Sequence, residues 1–255
     1  MTAATTDIFA DLEAELDGLE GVLDGLTPEQ WDTESGAPGW TVCDVVLHLA
    51  QTNEAVVSSV TVGAAGVGSN SNANWRQGSE NLDQAVERQV QSERAPADVV
   101  FERWRASQRA SVAALRGAEP DVKLAWAAWP LKPATLATTR IAEHWAHALD
   151  ITGPLDIPFP DTDRLRHIAW LGHSTLPYAF SFEGQEFHPL HVELTAPDGE
   201  TVWRFGPPEA ESTVTGTAGA FCRVGARRLA PADSGLVATG PHAAAALGVL
   251  RNYAG

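Results

Sequence analysis

The feature that most constrains this chain is a single change in its hydrophobic period. Up to Pro160 apolar residues recur at helical spacing, and from His191 they alternate. Ile8, Phe9, Leu12, Leu16, Leu19, Val22 and Leu23 fall at i, i+3, i+4 positions and predict an amphipathic helix over residues 6–25. Thr27-Pro28 then opens a short turn, with threonine as cap and proline at the first helical position. SGAPGW, residues 35–40, reads as loop. Thr41 and Asp44 form a capping pair before an apolar run, so a second helix is expected from 41 to about 61. The Gly/Ser/Asn-rich stretch 62–74 reads as a mobile connection or a lid. A polar helix is expected over 79–91 and a stronger one over 96–117, where Val99, Val100, Trp104, Val112 and Leu115 repeat. LAWAAWPLKP, residues 124–133, is an apolar loop, and a fourth long helix is expected from 134 to 151, before Gly153-Pro154.

The second half reads differently. Residues 161–175 remain helical in pattern. HVELTA, the turn PDGE and TVWRFG then form a hairpin signal. STVTG (212–216) and GLVATG (235–240) are further strand candidates, with helices expected over 218–229 and 242–255. The fold expected is α+β. A helical bundle occupies residues 1–155, ITGPLDIPFP with its three prolines links the halves, and a smaller α+β domain follows over 161–255.

Composition removes several functions. A net charge of −16 argues against a nucleic-acid footprint and against polybasic contact with anionic lipid. Two cysteines, Cys43 and Cys222, exclude a disulfide scaffold and a Cys-rich zinc site. The acidic N-terminus lacks the pattern of a signal peptide, and no stretch is apolar enough to span a membrane, so a cytoplasmic location is expected.

The informative string is RIAEHWAHALD, residues 140–150. Glu143 and His147 stand one helical turn apart on one face, whereas His144 points about 100° away. Such a pair serves equally well as a solvated surface contact. GWTVCDVVLHLAQ, residues 39–51, places His48 mid-helix among valines and leucines, where a core histidine is the plain alternative. Taken together on two helices of one bundle, His48, Glu143 and His147 would form a His₂Glu set with an open fourth position, the catalytic pattern for zinc. Nickel, iron and manganese accept the same donors.

These two strings resemble the metal-site motifs of the DinB-like four-helix metalloproteins and, more closely, of the mycothiol-dependent maleylpyruvate isomerase family. Gly39, Trp40, Thr41, Asp44, His48 and Leu49 match its second-helix pattern; Arg140, Glu143, His147 and Asp150 match its fourth. The tail, with VELTAPDGE, VTGTAGAFCRVGARR, LVATG and NYAG, is similar to a metal-binding subgroup of that family and to sterol-carrier-like domains. The resemblance implies His48, Glu143 and His147 as metal ligands and mycothiol as cosubstrate. A thiol of pKa near ~8.5 is ionised at pH 7 when held by a divalent cation, and its thiolate adds to an activated double bond. Elimination then gives isomerisation, and stopping at the adduct gives S-transfer. Family relatives also bring an arginine of the second domain over the site, which makes Arg227 and Arg228 candidate catalytic residues for a substrate carboxylate.

Other roles stay open. Asp44 either orients His48 or caps its helix; Arg140 and Asp150 either serve the site or form ordinary helix ion pairs; Cys43, in the first turn of its helix, is a weak nucleophile candidate. Trp40, Trp126, Trp129 and Trp145 are core or pocket wall. The reading is a metal-dependent enzyme acting on a small electrophile, with or without a carboxylate, as monomer or homodimer. A thiol-independent metalloenzyme, with the ion as Lewis acid, is the alternative. A non-catalytic small-molecule or lipid binder is the other.

Overall fold

A computed structural model describes residues 7–62, 82–126 and 129–252. The expected connection or lid beyond Val62, the first residues of the 79–91 helix, Ala127-Ala128 of the apolar loop and the closing Tyr253–Gly255 lie outside the described residues. Contacts divide the chain into two compact units between Phe159 and Pro160.

In the first unit, α1 spans Ile8–Asp24 and is capped by Asp7, whose carboxylate accepts from the Phe9 amide at 3.0 Å. The short α2, Pro28–Trp31, carries a full capping box from Thr27 and Gln30. Then come α3 (Val42–Val62), α4 (Leu82–Ser92), α5 (Ala97–Gly117) and α6 (Pro133–Thr152). The bundle proper is α1, α3, α5 and α6, with α3 packed on α5 and α1 on α6. Its core is the apolar stripe of each helix: Leu12, Leu16 and Leu19; Val42, Val45 and Leu49; Val100, Trp104 and Leu115; Leu136, Ile141 and Ala148, all buried. The apolar loop after α5 is clasped by paired bonds between Leu124 and Leu131 at 2.8 and 2.9 Å. Trp145 is in the core rather than in a pocket wall, and Trp129 is exposed.

The second unit begins with α7 (Leu165–Ser174) and α8 (Leu176–Phe182). Strands β1 (Leu190–Thr195) and β2 (Val202–Phe205) form the expected hairpin, in register Glu193↔Arg204 and Leu194↔Trp203. The turn closes through Ala196 N to Thr201 O at 2.8 Å, with Gly199 at φ 76°, a conformation glycine adopts without penalty. β3 (Ser212–Thr217) lies parallel to β1 on its other side and leads through Thr217, as cap, into α9 (Ala218–Gly225). β4 (Val237–Thr239) pairs antiparallel with β3, giving the four-stranded order β2-β1-β3-β4, and α10 (Ala243–Val249) follows. No described helix is long and apolar enough to cross a membrane.

One expectation needs correcting here. The helix expected over 218–229 stops at Gly225, so Arg227 and Arg228 are not on it. The chain wraps back instead: Arg228 N bonds to Arg223 O at 2.9 Å, while Arg227 takes the left-handed φ of 61°. That is the geometry of a helix C-terminal cap, reached here without glycine.

Candidate metal centre

The turn before α3 and the C-terminal half of α6 are tied together by backbone. Gly36 N donates to Asp150 O at 2.7 Å, and a Cβ at Gly36 would stand 3.1 Å from the Asp150 Cα, so a larger residue would have to push α6 back by a few tenths of an ångström. α3 then starts with Thr41 and Asp44 as expected: Asp44 N donates to Thr41 Oγ1 at 3.2 Å, and Thr41 N to Asp44 Oδ2 at 3.0 Å. Asp44 therefore caps the helix. Its carboxylate also holds Arg94 through two bonds of 2.8 Å and does not orient His48. Burial pushes the Asp44 carboxyl up, but Arg94 and the Thr41 amide pull it below its usual value.

His48, one turn further along α3, meets α6. Its Nε2 lies 3.0 Å from Glu143 Oε1, and His147 Nε2 lies 3.8 Å from the same oxygen. The three ligand atoms all fall within 4.8 Å of one another. The two imidazoles meet edge to face at 5.0 Å, and the Trp40 ring leans on His48 at 5.2 Å. The side chains of His48 and His147 are 9% and 14% exposed, but Glu143 is 24% exposed, so the cluster opens on the carboxylate side. Burial alone would raise the Glu143 carboxyl; the His48 hydrogen bond and the charge of Arg140 hold it well below its normal value. Burial lowers the His48 pKa and keeps that ring neutral.

His147 is oriented from behind. Its Nδ1 lies 2.9 Å from Asp150 Oδ2, and a carboxylate can only accept, so Nδ1 carries the proton and Nε2 turns its lone pair to the cluster. Asp150 thus is no surface ion pair. Nor is Arg140, which is buried at 2% exposure and donates to Thr52 Oγ1 at 2.9 Å. His144, as its helical phase requires, faces elsewhere: Nδ1 donates to Arg140 O at 2.9 Å and Nε2 accepts from Asn53 at 3.4 Å. Burial drives its pKa down to about 3.

Two imidazoles and a carboxylate match a catalytic zinc donor set. Tetrahedral bonds of ~2.0–2.2 Å place ligand atoms roughly 3.3–3.6 Å apart. Separations of 3.0 and 3.8 Å from Glu143 Oε1 bracket that range, and the two imidazole nitrogens, within 4.8 Å of each other, would close onto a shared ion by side-chain rotation. Cys43 does not join the site: burial and the charges of Asp44 and Asp32 push its thiol up to about 11. Cys222 is fully buried and is likewise pushed up. An open groove of about 910 Å³ between α1 and α5 lies apart from the triad, and its arginines are already paired, as in Arg105–Glu20 and Arg116–Glu13, both at 2.7 Å. Arg227 and Arg228 are exposed, with contacts to Gly248 O and Ala226 O.

A profile of the mycothiol maleylpyruvate isomerase N-terminal domain matches residues 12–152, the span that holds all three cluster residues. Two uncharacterized proteins, from two strains of Mycobacterium tuberculosis, are 34% identical over 248 residues, covering 96% of this chain and 95% of theirs. Among solved structures, the crystal structure of the mycothiol-dependent maleylpyruvate isomerase matches with a TM-score of 0.58 at 17% identity. A mutant of that enzyme with a histidine replaced by alanine matches at 0.59 and 16%; each covers 92% of this chain and 95% of the other. At that identity the likeness is one of fold.

Proposed function

This chain belongs to the mycothiol maleylpyruvate isomerase family, and from that premise we propose that it is a metal-dependent enzyme that activates a low-molecular-weight thiol, mycothiol, against a small electrophile. The observation that carries the proposal is the convergence of His48 Nε2, Glu143 Oε1 and His147 Nε2 within 4.8 Å on the family domain. A divalent ion, zinc by donor set, would supply the positive charge that lowers a thiol pKa to below neutrality. The chain's own residues do the rest. His48, Glu143 and His147 hold the ion, Asp150 fixes the His147 tautomer, and Trp40 walls one side. The exposed edge of Glu143 marks the side of approach.

With no thiolate-forming cysteine of its own, the protein needs the nucleophile from outside. Cis–trans isomerisation through addition and elimination, or S-transfer when the adduct is kept, both follow from that nucleophile. Arg227 and Arg228 are proposed to bind a substrate carboxylate. Both residues are exposed, which leaves them within reach of a ligand from solvent.

The test is turnover by zinc-loaded protein with and without mycothiol, using maleylpyruvate first and then other activated double bonds. The proposal expects conversion only when metal and thiol are both present. Turnover that needs metal but ignores the thiol would overturn it in favour of Lewis-acid chemistry.

A further inference from the structure

The polar interior of the bundle continues past the triad. Thr52 stands one turn after His48 on α3, and Arg140 one turn before Glu143 on α6, and these two meet at 2.9 Å. The guanidinium lies against the Trp126 ring, 5.5 Å from its centroid. Its Nε is buried without a hydrogen-bond partner, and among the described residues no carboxylate forms an ion pair with it. A guanidinium has five N–H donors and does not lose its charge in proteins. Among the described residues it makes one hydrogen bond and no direct ion pair, with only the through-space attraction of Glu143 to offset its burial, and that is an expensive arrangement.

The charge count around the triad gives it a purpose. The centre holds the partly exposed carboxylate of Glu143, the buried carboxylate of Asp150 and the buried guanidinium of Arg140, with Asp44 neutralised separately by Arg94. The histidines are neutral as ligands. A divalent ion would leave this group with one excess positive charge. A neutral fourth ligand would leave that excess buried, whereas a monoanion would cancel it. Without Arg140 the balance reverses, and a neutral ligand becomes the one that leaves the centre uncharged.

We propose that Arg140 is a positioning residue that makes the centre selective for an anionic incoming ligand, an ionised small thiol or a comparable monoanion, over a neutral one. This rests on the triad holding a divalent ion. It goes beyond ligand assignment in naming the residue that biases the site toward thiolate chemistry and away from polarising a neutral carbonyl.

Cobalt(II) in place of zinc gives a visible spectrum that reports both occupancy and the fourth ligand, so no turnover is needed. Azide is the monoanionic probe. Wild type should take up cobalt and bind azide. Arg140→Met should still take up cobalt but bind azide on the order of ten- to thirtyfold more weakly, the effect of one charge removed in a partly screened interior. Arg140→Lys, which keeps the charge, should stay within about threefold of wild type. Should Arg140→Met fail to fold, Arg140→Gln makes the same comparison. Equal azide affinity in wild type and the neutral variant, both loaded with cobalt, would overturn the role of Arg140. So would a loss in Arg140→Lys as large as in Arg140→Met. Failure of wild type to take up cobalt would instead overturn the metal reading itself, and this proposal with it.

Discussion

Asp150→Ala is the sharpest probe of how the centre is built. The Asp150 side chain is only 3% exposed and accepts from His147 Nδ1 at 2.9 Å, which leaves Nε2 as the ligand nitrogen. Removing the carboxylate frees the ring to rotate and to take the other tautomer. Loss of such an orienting partner weakens metal binding roughly ten- to a hundredfold, or about 1.4–2.8 kcal/mol. Asp150→Asn keeps an oxygen acceptor for Nδ1 but loses the charge, so it should fall near the low end of that range. The backbone bond from Gly36 N to Asp150 O does not depend on the side chain, so the entrance to α3 should keep its place. Competition for zinc against a chromogenic chelator measures the affinity, and urea unfolding of metal-free protein measures the fold separately. Folded Asp150→Ala protein that binds zinc within twofold of wild type would refute the orienting role.

Other outcomes follow from the same geometry. Asp44→Asn should flatten the acid side of the stability curve. The folded pKa of Asp44 is lowered, so its contribution is full above the unfolded value near ~4 and is lost as pH falls through the folded one. Urea midpoints between pH 5 and 3 should then fall less steeply in the variant, and equal slopes would count against the Arg94 pairing. Cys43→Ala should keep full activity, and native Cys43 should react slowly with a thiol reagent at pH 8, since its pKa is about 11. Fast labelling would contradict the burial argument. The double variant Arg227→Ala, Arg228→Ala should lose roughly ten- to a hundredfold in kcat/KM for a carboxylate substrate with metal content unchanged, and unchanged kinetics would remove both arginines from the site.

Local signals in the sequence carried much of this. The triad was legible because a single helical period fixes Glu143 against His147, and because His48 sits in a capped helix whose start Thr41 and Asp44 announce. His144 was separable from Glu143 on the same ground. What depends on distant partners was not legible. Arg94 reaches Asp44 across fifty residues, and Arg140 stays open between a site role and a helix ion pair until Thr52 and Trp126 meet it in the interior. The placement of β3 beside β1 rather than β2 is a long-range pairing, and the left-handed cap position after α9 is held by Arg227 where a glycine would have marked the stop. Asp150 lay in plain view three residues after His147, and its role appears only when burial rules out a solvated pair.

The central claim is that His48, Glu143 and His147 hold one divalent ion, and elemental analysis of tag-free protein tests it most directly. Wild type incubated with zinc, nickel, iron or manganese salts and then desalted should carry about one equivalent per chain. His48→Ala, Glu143→Ala and His147→Ala should each lose it, while His144→Ala, whose ring is bonded to Arg140 O and Asn53, should keep it. Wild type holding less than about a tenth of an equivalent of every metal would contradict the account, as would a His144→Ala protein that loses the ion while Glu143→Ala retains it.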